Sequence, residues 1–213
     1  MKKTISIIIS IAMCAMLASC GGVKNEVSDT EQPTLIDTMS LEEKVGQILF
    51  VRCVDDEQTD DLMSIKPGGI LMFGRDFEGL TKDEVKEKIQ SYQDKSDIPL
   101  IIGADEEGGT VVRVSSNPNL APEKFKSPQE IYNEGGMDAV VENATEKSEL
   151  LLSLGVNMNL APVADVSTNP SDYMYDRSLG QNVEVTADFV SKTVTAMNNA
   201  GIMSVLKHFP GYG

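Results

Sequence analysis

The sequence predicts an α/β fold built on a parallel sheet, because helical patterns alternate with short apolar segments from Leu35 onward. Residues 98–102 are apolar throughout, which is typical of a strand buried on both faces of a parallel sheet. In addition, charged side chains follow several of these segments, where α/β proteins carry their functional residues. Both a doubly wound sheet and a (β/α)8 barrel fit this pattern, and the spacing of the segments does not choose between them.

The individual elements follow from capping residues and from hydrophobic periodicity. Ser40 and Glu43 form a capping box that predicts a short helix, and Thr81 and Glu84 form a second box that predicts another. The predicted strands are 47–51, 69–73, 98–103, 156–160 and 203–209, and the other predicted helices are 137–154 and 183–200.

Polar side chains cluster where the later predicted strands end. They are Asp105, Glu106, Glu107, Asp165, Lys207 and His208. Because the carboxyl ends of parallel strands meet at one edge of a sheet, these side chains are expected to form one site. No Gly-x-Gly-x-x-Gly or phosphate-loop motif follows the first predicted strand. The sequence therefore lacks the main motif that would indicate a nucleotide-binding doubly wound sheet.

Composition limits the classes of partner. The chain has 213 residues, and its 41% apolar content is enough for one sizeable core. Its 18 basic and 33 acidic residues give a net charge of −15, which repels a polyanion. Nucleic acid is therefore excluded as a partner.

Residues 1–19 are predicted to be a lipoprotein signal peptide that lies outside the fold. Lys2 and Lys3 give a basic start, and residues 5–17 form an apolar run too short to span a bilayer as a stable helix. Small residues then precede Cys20, as a signal peptidase requires. A plain signal peptide is the alternative.

The tetrapeptide 17–20 resembles the bacterial lipobox, so Cys20 is the predicted lipidation site. Residues 20–34 are polar and predict a flexible tether, and residues 35–213 are assigned to one partial barrel domain. This organisation predicts a secreted protein anchored by lipid to the extracytoplasmic face of a bacterial cell membrane, with the anchor as its contact with the membrane.

Four segments resemble motifs of glycoside hydrolase family 3, and their order and spacing match the amino-terminal part of that family's barrel. They are DEEGGTVVR at 105–113, GVNMNLAPVADV at 155–166, DRSLG at 176–180 and KHFPGYG at 207–213. The Lys-His-Phe-Pro-Gly form resembles the β-N-acetylhexosaminidase branch more than the β-glucosidase branch, although Tyr212 stands where many members carry a second histidine. The resemblance implies a (β/α)8 TIM barrel, truncated after about strand five.

The resemblance also implies roles for these residues. Asp105, Arg177 and Lys207 would grip one sugar through charge-assisted hydrogen bonds, and His208 would contact the same sugar. Asp165 either lines the site or caps the loop after the fourth strand.

Three further carboxylates have open roles. Glu106 and Glu107 either touch the ligand or cap the following turn. Asp176 either orients Arg177 through a salt bridge, which is the favoured role, or contacts the sugar directly.

The family pattern places the acid/base histidine and the nucleophilic aspartate beyond Gly213, so no catalytic residue is assigned within the chain. The expected partner is a β-linked amino-sugar glycan, and the resemblance implies no cofactor and no metal ion. We expect the chain expressed alone to lack glycosidase activity. Alternatives are a non-catalytic sugar-binding lipoprotein, a β-glucosidase-type member of the family, and a solute-binding protein, which would need a second α/β lobe.

Lys207 and His208 are consecutive, and an ideal strand would point them to opposite faces. If both meet one sugar, the main chain must bend. The sequence therefore predicts a cis or otherwise strained peptide bond between Lys207 and Phe209 or at Phe209–Pro210.

Overall fold

The computed structural model describes residues 34–52 and 56–212. The chain divides into two compact units, Met1–Thr38 and Met39–Gly213. The described part of the first unit is Thr34 and helix α1, Leu35–Thr38, in which Asp37 accepts a 2.7 Å hydrogen bond from the Thr34 hydroxyl. The predicted signal peptide, the predicted lipidation site Cys20 and all of the predicted tether except Thr34 lie outside the described residues.

The second unit alternates helices with short strands. Its elements are α2 (Leu41–Gln47), β1 (Phe50–Val51), α3 (Asp56–Ser64), β2 (Gly69–Met72), α4 (Gly74–Phe77), α5 (Lys82–Gln93), β3 (Ile101–Ala104), α6 (Pro128–Ser153), β4 (Met158–Asn159), a 3-10 turn (Tyr175–Arg177), α7 (Val183–Ala200) and β5 (Met203–Ser204).

The strands of the described chain form one sheet in the order β1-β2-β3-β4-β5, and every neighbouring pair is parallel. A doubly wound sheet reverses direction at a switch point, so its strand order departs from the sequence order. Sequential order is instead the arrangement of a (β/α)8 barrel. The structure therefore confirms the predicted α/β class with a parallel sheet and favours the barrel over the doubly wound alternative.

The main core lies between the sheet and the helices. Ile70 and Met72 of β2 are 1% exposed and belong to one apolar cluster with Val85 and Ile89 of α5 and with residues of α6 and α7. Burial of these side chains provides the main driving force for packing helices onto the sheet. It also brings the carboxyl ends of the strands together at one edge.

Capping residues set the helix starts as predicted. Ser40 and Thr81 both make complete capping boxes at α2 and α5. A third box at Ser127 starts α6 nine residues before the predicted position, and Gly136 interrupts that helix with a φ of 65°. Helix α7 has the predicted bounds.

Several strand boundaries differ from the prediction, because hydrogen bonding to neighbours rather than apolar character decides where a strand begins and ends. Strand β1 is confined to Phe50–Val51, since Gln47 still belongs to α2. Strands β3, β4 and β5 are also shorter than the predicted segments. Helices α3 and α4 were not predicted. Across the described residues, no helix has both the length and the apolar character that a membrane span requires.

Candidate functional site

Lys207 lies between two carboxylates that follow β3. Its Nζ is 2.6 Å from Asp105 Oδ1 and 2.5 Å from Glu107 Oε1. The main chain of Lys207 pairs with the segment after β4 through a parallel bridge with Val163, and its carbonyl oxygen accepts a hydrogen bond from the main-chain N–H of Ala164. The Glu107 side chain is only 2% exposed, so solvent screens its ion pair with Lys207 weakly.

Glu107 also binds Arg177, which belongs to the 3-10 turn. Arg177 donates from Nε to Oε2 at 2.9 Å and from Nη2 to Oε1 at 2.7 Å, which is a bidentate pair. These hydrogen bonds raise the pKa of Arg177 further above its ordinary value. The prediction that Asp176 forms the salt bridge to Arg177 is wrong, because the described structure gives that role to Glu107.

His208 connects this arrangement to the loop after β4. Its Nδ1 is 2.6 Å from Asp165 Oδ2, and its Nε2 is 3.4 Å from Arg177 Nη2. A carboxylate only accepts hydrogen bonds, so Nδ1 carries a proton and, in the neutral ring, Nε2 is left as an acceptor that faces Arg177. We refer to Asp105, Glu107, Arg177, Lys207 and His208 as the polar clamp.

Asp165 reaches the polar clamp through His208. Its side chain is fully buried, and it accepts hydrogen bonds from the ring and main chain of His208 and from the main chain of Tyr212 at 2.9 Å. Burial acts to raise the pKa of Asp165, but these hydrogen bonds outweigh it and hold the pKa below its ordinary value.

The low pKa of Asp165 predicts a specific acid sensitivity. Below the ordinary aspartate pKa of about 3.9, the unfolded chain binds a proton that the folded chain still excludes. The stability that ionised Asp165 contributes is therefore present above this pH and lost as the pH falls through the lower folded-state pKa. We expect Asp165→Asn to lower the Tm of the full-length protein at pH 6 and the difference from wild type to shrink towards pH 3.

Thermal unfolding of wild type and Asp165→Asn between pH 3 and pH 6 measures this difference. Asp138→Asn, at an exposed position of α6, is the matched control and should show no such trend. A Tm difference for Asp165→Asn that stays constant over this range would contradict the prediction.

Glu106 serves the turn rather than the polar clamp. It is completely buried, and it accepts hydrogen bonds from the main-chain N–H groups of Arg113 and Val114, both at 2.7 Å, and from the main chain and hydroxyl of Ser115. Of the two predicted alternatives for Glu106, the structure supports turn capping. Glu107 differs from Glu106, because its carboxylate pairs with Arg177 and Lys207 in the polar clamp.

Gly108 and Gly109 allow this turn to form. Both have positive φ angles, 104° and 62°, which favour glycine. A Cβ atom on Gly108 would lie 2.2 Å from the carbonyl oxygen of Lys126, so a side chain does not fit there. These glycines therefore serve main-chain geometry.

Consecutive residues after β5 reach the same site, as predicted. The Lys207–His208 and Phe209–Pro210 peptide bonds are both cis. Lys207 contacts Asp105 while His208 contacts Asp165, so the two side chains serve one cluster.

Arg113 lies beside the polar clamp, although no site role was predicted for it from the sequence. Its Nη2 is 3.7 Å from Asp105 Oδ2, and its guanidinium lies 5.7 Å from the centre of the Phe73 ring. Its buried Nε has no hydrogen-bond partner within the described chain. Its position at the end of the segment 105–113, after the turn that Glu106 caps, is the feature of the sequence that could have indicated this location.

The described residues also bear on metal binding. Within residues 34–52 and 56–212, no three His, Cys, Asp or Glu side chains converge in a way that could hold a metal ion. The polar clamp instead pairs each carboxylate with a cation, and such pairs offer both donors and acceptors to a neutral, hydroxyl-rich ligand.

Parallel strands in sequential order, with a cluster of paired charges at their carboxyl ends, define a barrel-type domain with a polar candidate site at the strand ends. The sequence matches the family described as "Glycosyl hydrolase family 3 N terminal domain" over residues 40–213. The chain belongs to this family.

Two relatives illustrate the extent of the sequence similarity. The beta-hexosaminidase A of Pseudoalteromonas piscicida is 33% identical over 150 residues, which cover 68% of this chain and 25% of that protein. The beta-hexosaminidase LpqI of Mycobacterium tuberculosis is 28% identical over 176 residues, which cover 82% of this chain and 44% of that protein. The chain thus spans less than half the length of either relative.

Solved structures of the same family confirm the fold. A β-N-acetylglucosaminidase of glycoside hydrolase family 3 from Paenibacillus sp. superposes with a TM-score of 0.73 at 28% identity, over 82% of this chain and 34% of that chain. A family member from Mycobacterium smegmatis gives a TM-score of 0.71 at 26% identity, over 83% of this chain and 52% of that chain.

Proposed function

We propose that the full-length protein is a retaining glycoside hydrolase that acts on β-linked N-acetylhexosaminides in cell-wall or glycan turnover. The polar clamp is the observation that carries this proposal, because it gathers two carboxylates, two cations and a histidine at the carboxyl edge of the sheet. The family and the names of the relatives support the same reaction class.

The chemistry of the polar clamp suits a pyranose. Asp105 can accept from two neighbouring hydroxyl groups, while Lys207 and Arg177 donate to others. Both cations are partly exposed, at 13% and 21% of the side chain, so each has room for a ligand. His208 completes the sugar contacts in this proposal.

The remaining carboxylates support these contacts. Glu107 is nearly fully buried and holds both cations in place, and Asp165 acts as a positioning residue through His208. We therefore narrow the predicted substrate-binding role of Asp165 to the orientation of His208.

An N-acetylated sugar is favoured over glucose by the segment that contains Lys207 and His208. Its Lys-His-Phe-Pro-Gly form resembles the hexosaminidase branch of the family, and both relatives described above are named beta-hexosaminidases.

A retaining mechanism needs a nucleophile and a proton donor about 5 Å apart on opposite sides of the anomeric carbon. By family resemblance these groups belong to chain beyond Gly213. In this proposal residues 39–213 supply the sugar grip, and the remainder supplies the bond-breaking groups.

Chromogenic substrates test the proposed function. The full-length protein should hydrolyse an N-acetyl-β-glucosaminide with a kcat/KM well above that for the matching β-glucoside. A preference for the β-glucoside would indicate the other branch of the family. Binding of the N-acetylated sugar with no hydrolysis would indicate a non-catalytic sugar-binding protein.

We further propose that Cys20 carries a lipid that anchors the protein to the bacterial membrane. The resemblance of the tetrapeptide 17–20 to the lipobox supports this proposal. Cys20→Ala should move the protein from the membrane fraction to the soluble fraction and abolish labelling by a fatty-acid analogue. Cys14→Ala is the control, and fatty-acid labelling that persists in Cys20→Ala would contradict the proposal.

A further inference from the structure

A lysine outside the polar clamp contacts one of its members, and it takes no part in the proposed sugar contacts. Lys147 of α6 lines a small cavity together with Glu107, Asn143, Asn159, Thr193 and Met197. Its Nζ donates a 2.9 Å hydrogen bond to the main-chain oxygen of Glu107. The same glutamate binds Arg177 and Lys207 through its side chain.

The amine of Lys147 is poorly solvated and interacts with two carboxylates. Desolvation lowers the pKa of Lys147 to about 8, while the charges of Glu106 and Glu107 act to raise it. The ring of Phe125 is a further neighbour, with its centre 5.8 Å from Nζ. The ammonium group therefore contacts the main chain of Glu107 and interacts electrostatically with the carboxylates of Glu106 and Glu107.

We propose that Lys147 is a positioning residue for sugar binding, which acts by fixing the main chain of Glu107. This proposal rests on the proposed function of the polar clamp. The main-chain N–H of Glu107 is bound to the oxygen of Val111 at 3.0 Å, so Lys147 supplies the partner for the carbonyl group of the same residue. With both main-chain groups held, the Glu107 carboxylate stays directed at the two cations.

Removal of the Lys147 amine should weaken sugar binding and change the stability of the fold only slightly. Lys147→Met removes a poorly solvated charge, which favours folding, and leaves the Glu107 carbonyl without its partner, which disfavours folding, so the two effects largely offset each other. The lowered pKa of Lys147 agrees with the first of these effects. Because the pKa of the amine is lower in the folded state than in the unfolded chain, its charged form disfavours folding at neutral pH.

Lys147→Met in the full-length protein tests the proposal. We expect the KM for an N-acetyl-β-glucosaminide and the Kd for N-acetylglucosamine to rise about tenfold, with a smaller change in kcat and a Tm close to that of wild type. Wild-type affinity should also fall as the pH rises through about 8, and Lys147→Met should lack this dependence. Lys192→Met, at an exposed ion pair with Asp188 on α7, is the matched control and should change none of these values.

Unchanged sugar affinity in a folded Lys147→Met protein would overturn the inference while leaving the proposed function intact. Failure of the wild-type protein to bind or hydrolyse the sugar would instead overturn the proposed function. If Lys147→Met does not fold, Lys147→Gln must show the rise in KM. If neither variant folds, the role of Lys147 is structural and the inference is wrong.

Discussion

Glu107→Gln is expected to destabilise the full-length protein by about 3 kcal/mol and to weaken sugar binding, because breaking a buried ion pair leaves a charge without its partner. Glu107 is the shared anion of Arg177 and Lys207, with contacts of 2.7 and 2.5 Å. The amide of glutamine has no charge to offer either cation, and its NH2 group cannot accept from them. Urea denaturation measures the change in the free energy of unfolding.

Glu134→Gln is the matched control for this experiment. Glu134 pairs with Lys126 at 2.6 Å, but the two side chains are 56% and 50% exposed. Exposed pairs contribute about 0–1 kcal/mol, so this variant should unfold almost as the wild type does. Equal effects of the two substitutions would show that Glu107 does not organise the site.

Lys207→Met should reduce kcat/KM for an N-acetyl-β-glucosaminide by about a hundredfold, which corresponds to about 3 kcal/mol of lost binding and positioning. Lys207 lies within 2.6 Å of both Asp105 and Glu107. Without its ammonium group, two neighbouring carboxylates face each other with less counter-charge, and the sugar loses a donor.

Steady-state kinetics with the full-length protein measure this effect, and Lys126→Met serves as the control, because Lys126 forms an exposed ion pair with Glu134. The control should keep wild-type kcat/KM. A Lys207→Met protein with less than a few-fold loss would remove Lys207 from the proposed sugar contacts.

The location of the site could be predicted because strand-end positions are visible in the sequence. Asp105, Lys207 and His208 directly follow apolar segments, and parallel strands bring such positions together whatever the exact strand lengths are. The helix starts at Ser40 and Thr81 were predictable for a similar reason, since a capping box is complete within four residues.

The partner of Arg177 could not be predicted in the same way. Asp176 is its neighbour in sequence, whereas Glu107 lies 70 residues away and reaches Arg177 only after the 3-10 turn is placed beside the sheet. Glu106 and Glu107 are adjacent and chemically alike, and only the turn that follows them directs one into the protein and the other into the site.

Strand lengths were overestimated because they depend on pairing with neighbouring strands. The apolar run at 98–102 predicts a strand from residue 98, yet β3 begins at Ile101, where pairing with Gly69 of β2 begins. The main chain of Leu100 instead donates to the side chain of Gln93. Apolar character shows that a segment is buried, but it does not show which main-chain groups find a strand partner.

A crystal structure of the full-length protein with bound N-acetylglucosamine tests the proposed sugar site. We expect the sugar to lie at the carboxyl edge of the sheet, with its hydroxyl groups within about 3.2 Å of Asp105, Arg177, Lys207 and His208. Glu107 should remain paired with Arg177 behind the sugar. A sugar bound elsewhere, or one separated from all four side chains by more than about 4 Å, would show that the polar clamp is not the sugar site.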